Sequence, residues 1–511
     1  MSSRRCDSKG ERPRAAPWTH PVVVAVLSWG VLALAWQVAY FSSADLGMAS
    51  LVFGAGLLAI LVTTIGAVVH HALQVQWSGG RACHALGLLG IGVALVAVYL
   101  HLNRPDFDDG LFLARSLDLL LQPDEPLRKL GQAVEPGAYR EDRLLTAYWV
   151  LPVLLHQWTG WPFLLLYYTL VPIPLILALP WGLDLAARDW LGIRKWGTRV
   201  ALVGAAALLL LYWGKPGFWG SYHFGPMDDG IVRFFQGDAV LATLLVPVWL
   251  AVVPRALEDP GPGAALGVLG LVTAGVGFSE MAIFLGLLFL GICGTVEVIR
   301  KWSGGIGGVR ILSPALVYLT GLAGISFLFF DSRAGFLDYG LFSPDLGWVW
   351  RSSNKGALQA TWGIGAPGMV GVLSVLYFGI FGRCERSRMF AGVFLSLLVI
   401  PGTTVLLGEL GYNAFAWRWL WVFPIFLVVP LAFAEGVRFF YRDRWWLGFL
   451  FAVAVLYLYG IDPRPAFHPD SGDLGTVVEW APVKVREGEE LRNGFVVELN
   501  SYRIQYRGHE F

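Results

Sequence analysis

Apolar residues in this chain fall into runs of roughly 18 or more, separated by short polar connections, a pattern that predicts transmembrane α-helices. The first run, about Pro21 to Phe41, is too long for the core of a signal peptide and reads as a retained span. A second covers about Leu46 to Leu73, and a third, about Ala85 to Leu102, follows the polar connection His70 to His84. Further runs lie near 161–182, 200–213, 237–254, 264–278, 280–299, 311–330, 366–382, 389–408, 418–438 and 445–460. Together they predict about thirteen crossings. The run Leu144 to Trp158 is shorter. At ~1.5 Å rise per residue it falls short of a ~30 Å apolar layer.

Charge decides how that short run is read. If it crosses, Arg188, Arg194, Lys195 and Arg199 face outward. If it re-enters or lies in the interface, those four face the cytoplasm, as basic connections prefer. The same choice brings Arg300/Lys301/Arg310, Arg383/Arg386/Arg388 and Arg438/Arg442/Arg444 inside as well. Four clusters agree with one assumption, so 144–158 is not counted as a span. The expected organisation is a basic cytoplasmic tail over 1–20, a transmembrane domain over 21–460, and an extracytoplasmic tail over 461–511. The larger outer loops are 103–160, 214–236 and 331–365. In the tail, alternation in Gly475–Trp480, Gly494–Leu499 and Tyr502–Tyr506 predicts two or three short β-strands packed on the outer loops.

Composition agrees. Of 511 residues, 56% are hydrophobic and 15% charged, where a soluble domain carries about 25% charged. The net charge of +1 gives no basic footprint for nucleic acid. Cys6, Cys83 and Cys384 fall inside and Cys293 within a span, with no metal-binding spacing, so no disulfide is expected.

Candidate chemistry gathers on the outer face. The third span leads into Asn103-Arg104-Pro105-Asp106-Phe107-Asp108-Asp109-Gly110. Carboxylates at a membrane mouth bind cations or move protons, although the same residues also solvate loops. The next outer loop carries Lys215, His223, the pair Asp228-Asp229, and then Arg233-Phe234-Phe235-Gln236-Gly237-Asp238. Asp-Asp-Gly also suits a plain turn, and His223 a hydrogen-bonded loop position. Glu280 sits at the corner between two spans. Arg418, within Trp417-Arg418-Trp419, stands where a late span meets the outer face. There it either anchors the helix or grips a phosphate through two parallel hydrogen bonds.

An early outer carboxylate motif in a chain of many spans resembles the GT-C class of membrane glycosyltransferases. That resemblance implies transfer of sugar from a polyprenyl-phosphate donor outside the cytoplasmic membrane. It implies Asp108 or Asp109 as catalytic base, and Asp228 and Asp229 as acids of the second outer loop. Thirteen spans and an outer carboxyl-terminal tail are similar to the oligosaccharyltransferase catalytic subunit, which Phe278-Ser279-Glu280 and the loop 331–365 weakly echo. Its WWD-type tail motif is absent here. The chain is also similar, over about 85–440, to a bacterial multi-pass family defined only as a domain of unknown function. The carriers are Pro105-Asp106-Phe107-Asp108-Asp109, Arg233-Phe234-Phe235-Gln236-Gly237-Asp238 and Trp417-Arg418-Trp419-Leu420-Trp421. Asp238 stands where that pattern has Lys, so no phosphate-binding cation is supplied at that position.

The expectation is therefore an all-α polytopic, GT-C-like enzyme of a bacterial inner membrane with its active face outward. Asp108 and Asp109 are expected as catalytic residues. Asp106, Lys215, His223, Asp228, Asp229, Arg233, Gln236, Glu280 and Arg418 are expected to bind substrate. Oxygen ligands suit a hard cation, so Mg²⁺ or Mn²⁺ would be held by Asp108, Asp109 and Asp228. Partners would be a polyprenyl-phosphate-linked sugar, membrane lipid, and a glycan, lipid or protein acceptor. Two rivals are a glycan transporter or flippase, which would place ionisable residues inside the spans, and a non-catalytic assembly subunit.

Overall fold

The computed structural model describes residues 17–42, 44–74, 79–100, 146–210, 236–258, 260–302, 366–382, 384–400, 403–408 and 413–440. It also describes scattered positions within 116–127, 231–234 and 354–361, and four short strands between 477 and 510. The expected spans 311–330 and 445–460 lie outside the described residues, as do the tail 1–16 and most of the three outer loops.

Six of the described helices are long and apolar enough to cross a membrane. They are α1 (Pro21–Phe41), α2 (Leu46–Gln74), α3 (Gly79–Tyr99), α5 (Phe163–Asp189), α7 (Gly237–Ala256) and α9 (Met281–Trp302). Four shorter helices are largely apolar: α6 (Trp196–Leu210), α8 (Pro262–Phe278), α10 (Ala366–Phe381) and α13 (Ile425–Phe440). This is the helix inventory of a multi-pass membrane protein. Proline opens α1 and α8, where its missing N–H costs no hydrogen bond.

Helix α7 is the centre: 89% of its apolar window is buried, against 6% for α2, whose main packing among the described residues is on α1. Around α7, α5 packs against α3 and α6, while α8 packs against α1 and α9. Trp249 of α7, Phe289 of α9 and Phe390 form a continuous aromatic seam, with ring centroids 5.9 and 5.6 Å apart.

The short run is indeed short. A 3-10 turn at Tyr148–Val150 leads into α4 (Leu151–Thr159), closed by Gly160 at φ 69°, the left-handed conformation that glycine adopts without strain. Two hydrogen bonds fix what α4 does to the topology. The Tyr99 hydroxyl, at the end of α3, donates to the Tyr168 carbonyl near the start of α5 (2.6 Å). At the opposite ends of the same helices, His84 meets Asp184. Helices α3 and α5 are thus antiparallel neighbours, and the chain between them leaves and re-enters at one end of the bundle.

Four of the expected spans are altered. The run 389–408 is broken into α11 (Glu385–Val399) and α12 (Thr403–Leu407), because Ile400 precedes Pro401 and takes extended dihedrals (φ −62°, ψ 117°). The run 418–438 begins as a 3-10 helix, Asn413–Val422, and becomes α13 only after Pro424. Finally, α3 starts earlier than expected and α5 ends later, which carries His84 and Asp184 into helices. The tail forms a four-stranded antiparallel meander: β1 (Val477–Glu479), β2 (Val496–Glu498), β3 (Arg503–Tyr506) and β4 (His509–Glu510). The first three were legible by alternation; the two-residue β4 was too short to register.

Candidate functional site

The end of the bundle where α7 begins brings together three motifs that are far apart in sequence. Gln236, buried and extended (φ −98°, ψ 131°), delivers the chain to Gly237. Gly237 lies directly against the Phe278 carbonyl at the end of α8, where any Cβ would collide with that oxygen. This close approach sets Asp238 beside Ser279, whose hydroxyl donates to Asp238 Oδ1. Ser279 is extended (φ −153°, ψ 137°) because it is the corner between α8 and α9, and its Oγ also accepts from the Met281 N–H (3.2 Å). Glu280 completes the corner, half-buried.

Arg418 arrives from the 3-10 helix, and its Nη1 donates to Asp238 Oδ2 at 2.6 Å. Only 15% of the Arg418 side chain and 24% of the Asp238 side chain are exposed, so the pair is largely shielded from water. The guanidinium also lies over the Trp421 ring, 4.8 Å from its centroid, adding cation–π attraction. The sequence pattern left Asp238 as a departure from the expected Lys. The structure accounts for it: at this position an acid is the partner of Arg418.

The backbone beneath Arg418 is pinned. Trp419 Nε1 donates to Thr404 Oγ1 (2.9 Å), and the Thr404 N–H donates to Asn354 Oδ1 (2.9 Å). Asn354 Nδ2 in turn donates to the Leu398 and Ile400 carbonyls (2.9 and 2.6 Å), whose helical partners are lost at the break before Pro401. Asn354 therefore bridges the break between α11 and α12 and, through Thr404, ties it to the residue after Arg418.

The segment leading into α4 ties Ser116, Phe234 and Gly277 together at this end. Ser116 Oγ donates to the Trp149 carbonyl (3.1 Å), and the neighbouring Tyr148 hydroxyl donates to the Phe234 carbonyl (2.6 Å). The Ala147 N–H donates to the Gly277 carbonyl (2.8 Å). Asp106, Asp108 and Asp109 lie outside the described residues, but both flanks of their segment, Leu100 and Ser116, belong to this same end. Lys215, His223, Asp228, Asp229 and Arg233 also lie outside the described residues. Of the expected site residues, then, Gln236, Glu280 and Arg418 are placed, and they are placed together. Among the described residues no three metal-ligating side chains gather. The carboxylate of Asp238 is taken up by Arg418 and Ser279, and Asp108, Asp109 and Asp228 lie outside the described residues.

A second set of charges was missed. At the opposite end, His84 Nε2 lies 2.9 Å from Asp184 Oδ1 and Arg199 Nε lies 2.8 Å from the same oxygen, with the three side chains only 4–9% exposed. Arg199 Nη2 also lies 3.2 Å from His84 Nε2, so the three side chains form one closed group. Trp196 covers both side chains, its ring 4.5 Å from the His84 ring and 4.5 Å from the Arg199 guanidinium. Nearby Asp189 pairs with Arg188 (2.7 Å) and Arg255 (2.5 Å), and Glu297 with Arg300 (2.7 Å) and Lys301 (3.4 Å). Ionisable side chains therefore lie within helices α3, α5, α6 and α9. Each of these carboxylates is paired with basic side chains in a compact group at one end of the bundle. The sequence signal was an Asp inside an apolar stretch, Leu183-Asp184-Leu185-Ala186-Ala187, read as lying past the end of its span.

No family model matches the chain, and no curated protein matches it.

Proposed function

We propose that this protein is a membrane glycosyltransferase of a bacterial inner membrane, moving sugar from a polyprenyl-phosphate-linked donor to a cell-envelope acceptor outside the cytoplasm. The observation that carries the reading is the meeting of Arg418, Asp238, Ser279 and Gln236 at the bundle end that also holds both flanks of the Asp106–Asp109 segment. An inverting transfer needs a base on one side of the sugar and a sink for negative charge on the other. In this reading Asp108 or Asp109 takes the proton from the acceptor hydroxyl while its oxygen bonds to the anomeric carbon. The bond from that carbon to the phosphate oxygen breaks, and the phosphate leaves with the electron pair. Arg418, desolvated and anchored, stabilises that charge through its guanidinium. The lipid chain of the donor lies along the apolar helix faces.

Arg418→Lys separates this role from a mere anchor. Lys keeps the charge but lacks the planar two-pronged donor, so the KM for the lipid-linked donor is expected to rise about ten-fold or more at equal protein level. Transfer from a polyprenyl-phosphate sugar, measured in membranes, reads this directly. Wild-type kinetics in both Arg418→Lys and Arg418→Ala would remove Arg418 from the chemistry.

A further inference from the structure

Asp238 poses a problem that the transfer reading leaves open. A residue meant to grip phosphate is already gripping a carboxylate, and both sides of that pair are fixed by their surroundings. The Arg418 backbone is held through Trp419, Thr404 and Asn354, and Asp238 is held by the contact of Gly237 with the Phe278 carbonyl. A carboxylate and a phosphate offer a guanidinium the same arrangement of paired oxygens. A phosphate reaching Arg418 must therefore replace Asp238 Oδ2 or share the guanidinium with it.

Resting on the reading of Arg418 as a phosphate ligand, we infer that Asp238 is an internal competitor for Arg418, which a lipid phosphate displaces and whose negative charge disfavours doubly charged phosphates. Ser279 makes the exchange feasible. Its hydroxyl holds Asp238 Oδ1, so a carboxylate that releases Oδ2 from Arg418 keeps one hydrogen bond and stays beside the site. The retained charge then acts on the bound anion. A phosphodiester donor carries one negative charge, whereas the phosphomonoester left after sugar transfer approaches two. Repulsion at close range in a partly shielded site is worth on the order of ten-fold in affinity per added charge. Asp238 thereby favours donor over product and speeds the product's departure. The site commits to a lipid-borne phosphate because Arg418 lies in a tryptophan-rich segment at the end of apolar helices, with Trp421 under its guanidinium.

The test is equilibrium binding to the full chain in lipid nanodiscs, using a short-chain polyprenyl phosphate, the matching uncharged polyprenol and inorganic phosphate as probes. Asp238→Asn is expected to bind polyprenyl phosphate about ten-fold tighter than wild type, with polyprenol binding unchanged and inorganic phosphate far weaker throughout. Asp238→Ser, equally uncharged but smaller, should show the same direction. Equal or weaker binding in both variants overturns the inference, as does failure of both to fold, since Asp238 is then a structural partner only. Inorganic phosphate binding as tightly as polyprenyl phosphate overturns the lipid commitment. If Arg418→Ala binds polyprenyl phosphate as wild type does, the underlying assignment of Arg418 fails, which is distinguishable because that result does not involve Asp238.

Discussion

Changing Asp108 and Asp109 together to Asn is expected to lower sugar transfer by ~10²–10⁴-fold, the range that loss of a general base typically costs. Asn keeps the shape of Asp and its capacity to accept a hydrogen bond, but it does not take a proton at neutral pH. Donor binding should persist in this variant, because the phosphate contact assigned to Arg418 is untouched. That split, lost turnover with retained binding, separates a catalytic role from a structural one. The segment's flanks are tied to the Arg418 end through Ser116 and Trp149 and through Tyr148 and Phe234. A base carried there would be within the same working face. Purified double variant transferring sugar at the wild-type rate would leave Asp108 and Asp109 as solvating loop residues.

The second large effect is expected far from the chemistry. Asp184→Ala removes the carboxylate that both His84 and Arg199 contact in their buried group. Arg199 is then left almost wholly out of water without its contacting carboxylate, and breaking a buried pair from one side costs about 3–5 kcal/mol. A clear fall in the apparent melting temperature of detergent-solubilised protein is expected. Arg199→Leu in the Asp184→Ala background should recover part of it, since no buried cation then lacks its partner. An unchanged melting temperature in Asp184→Ala would show that the triad contributes nothing to holding α3, α5 and α6 together.

The helices were legible because each is a local property. A long apolar run forms a helix in a membrane whatever its neighbours do, so α1 and α2 begin where the pattern placed them. That 144–158 holds no helix long enough to cross was legible from the length of its apolar run. The break at Ile400 had its signal in Pro401-Gly402, but apolar content concealed it inside a single run. The ion pairs were not legible as pairs. His84 and Asp184 are 100 residues apart, Asp238 and Arg418 180 apart, and nothing in the spacing of such residues announces a contact. Arg418 was singled out for its tryptophan setting and Gln236 for its motif, yet their meeting depends on how α7, α8 and the 3-10 helix pack. Ser279 shows the same limit: it read as part of a weak echo, and its role as the second partner of Asp238 emerges only from the corner between α8 and α9.

The most direct measurement is the composition of cell-surface glycan in a strain lacking this protein, complemented in turn by wild type, the Asp108→Asn/Asp109→Asn variant and Arg418→Ala at matched levels. The account predicts that one sugar is lost from the surface glycan on deletion, that wild type restores it, and that neither variant does. A surface glycan unchanged by the deletion would contradict it.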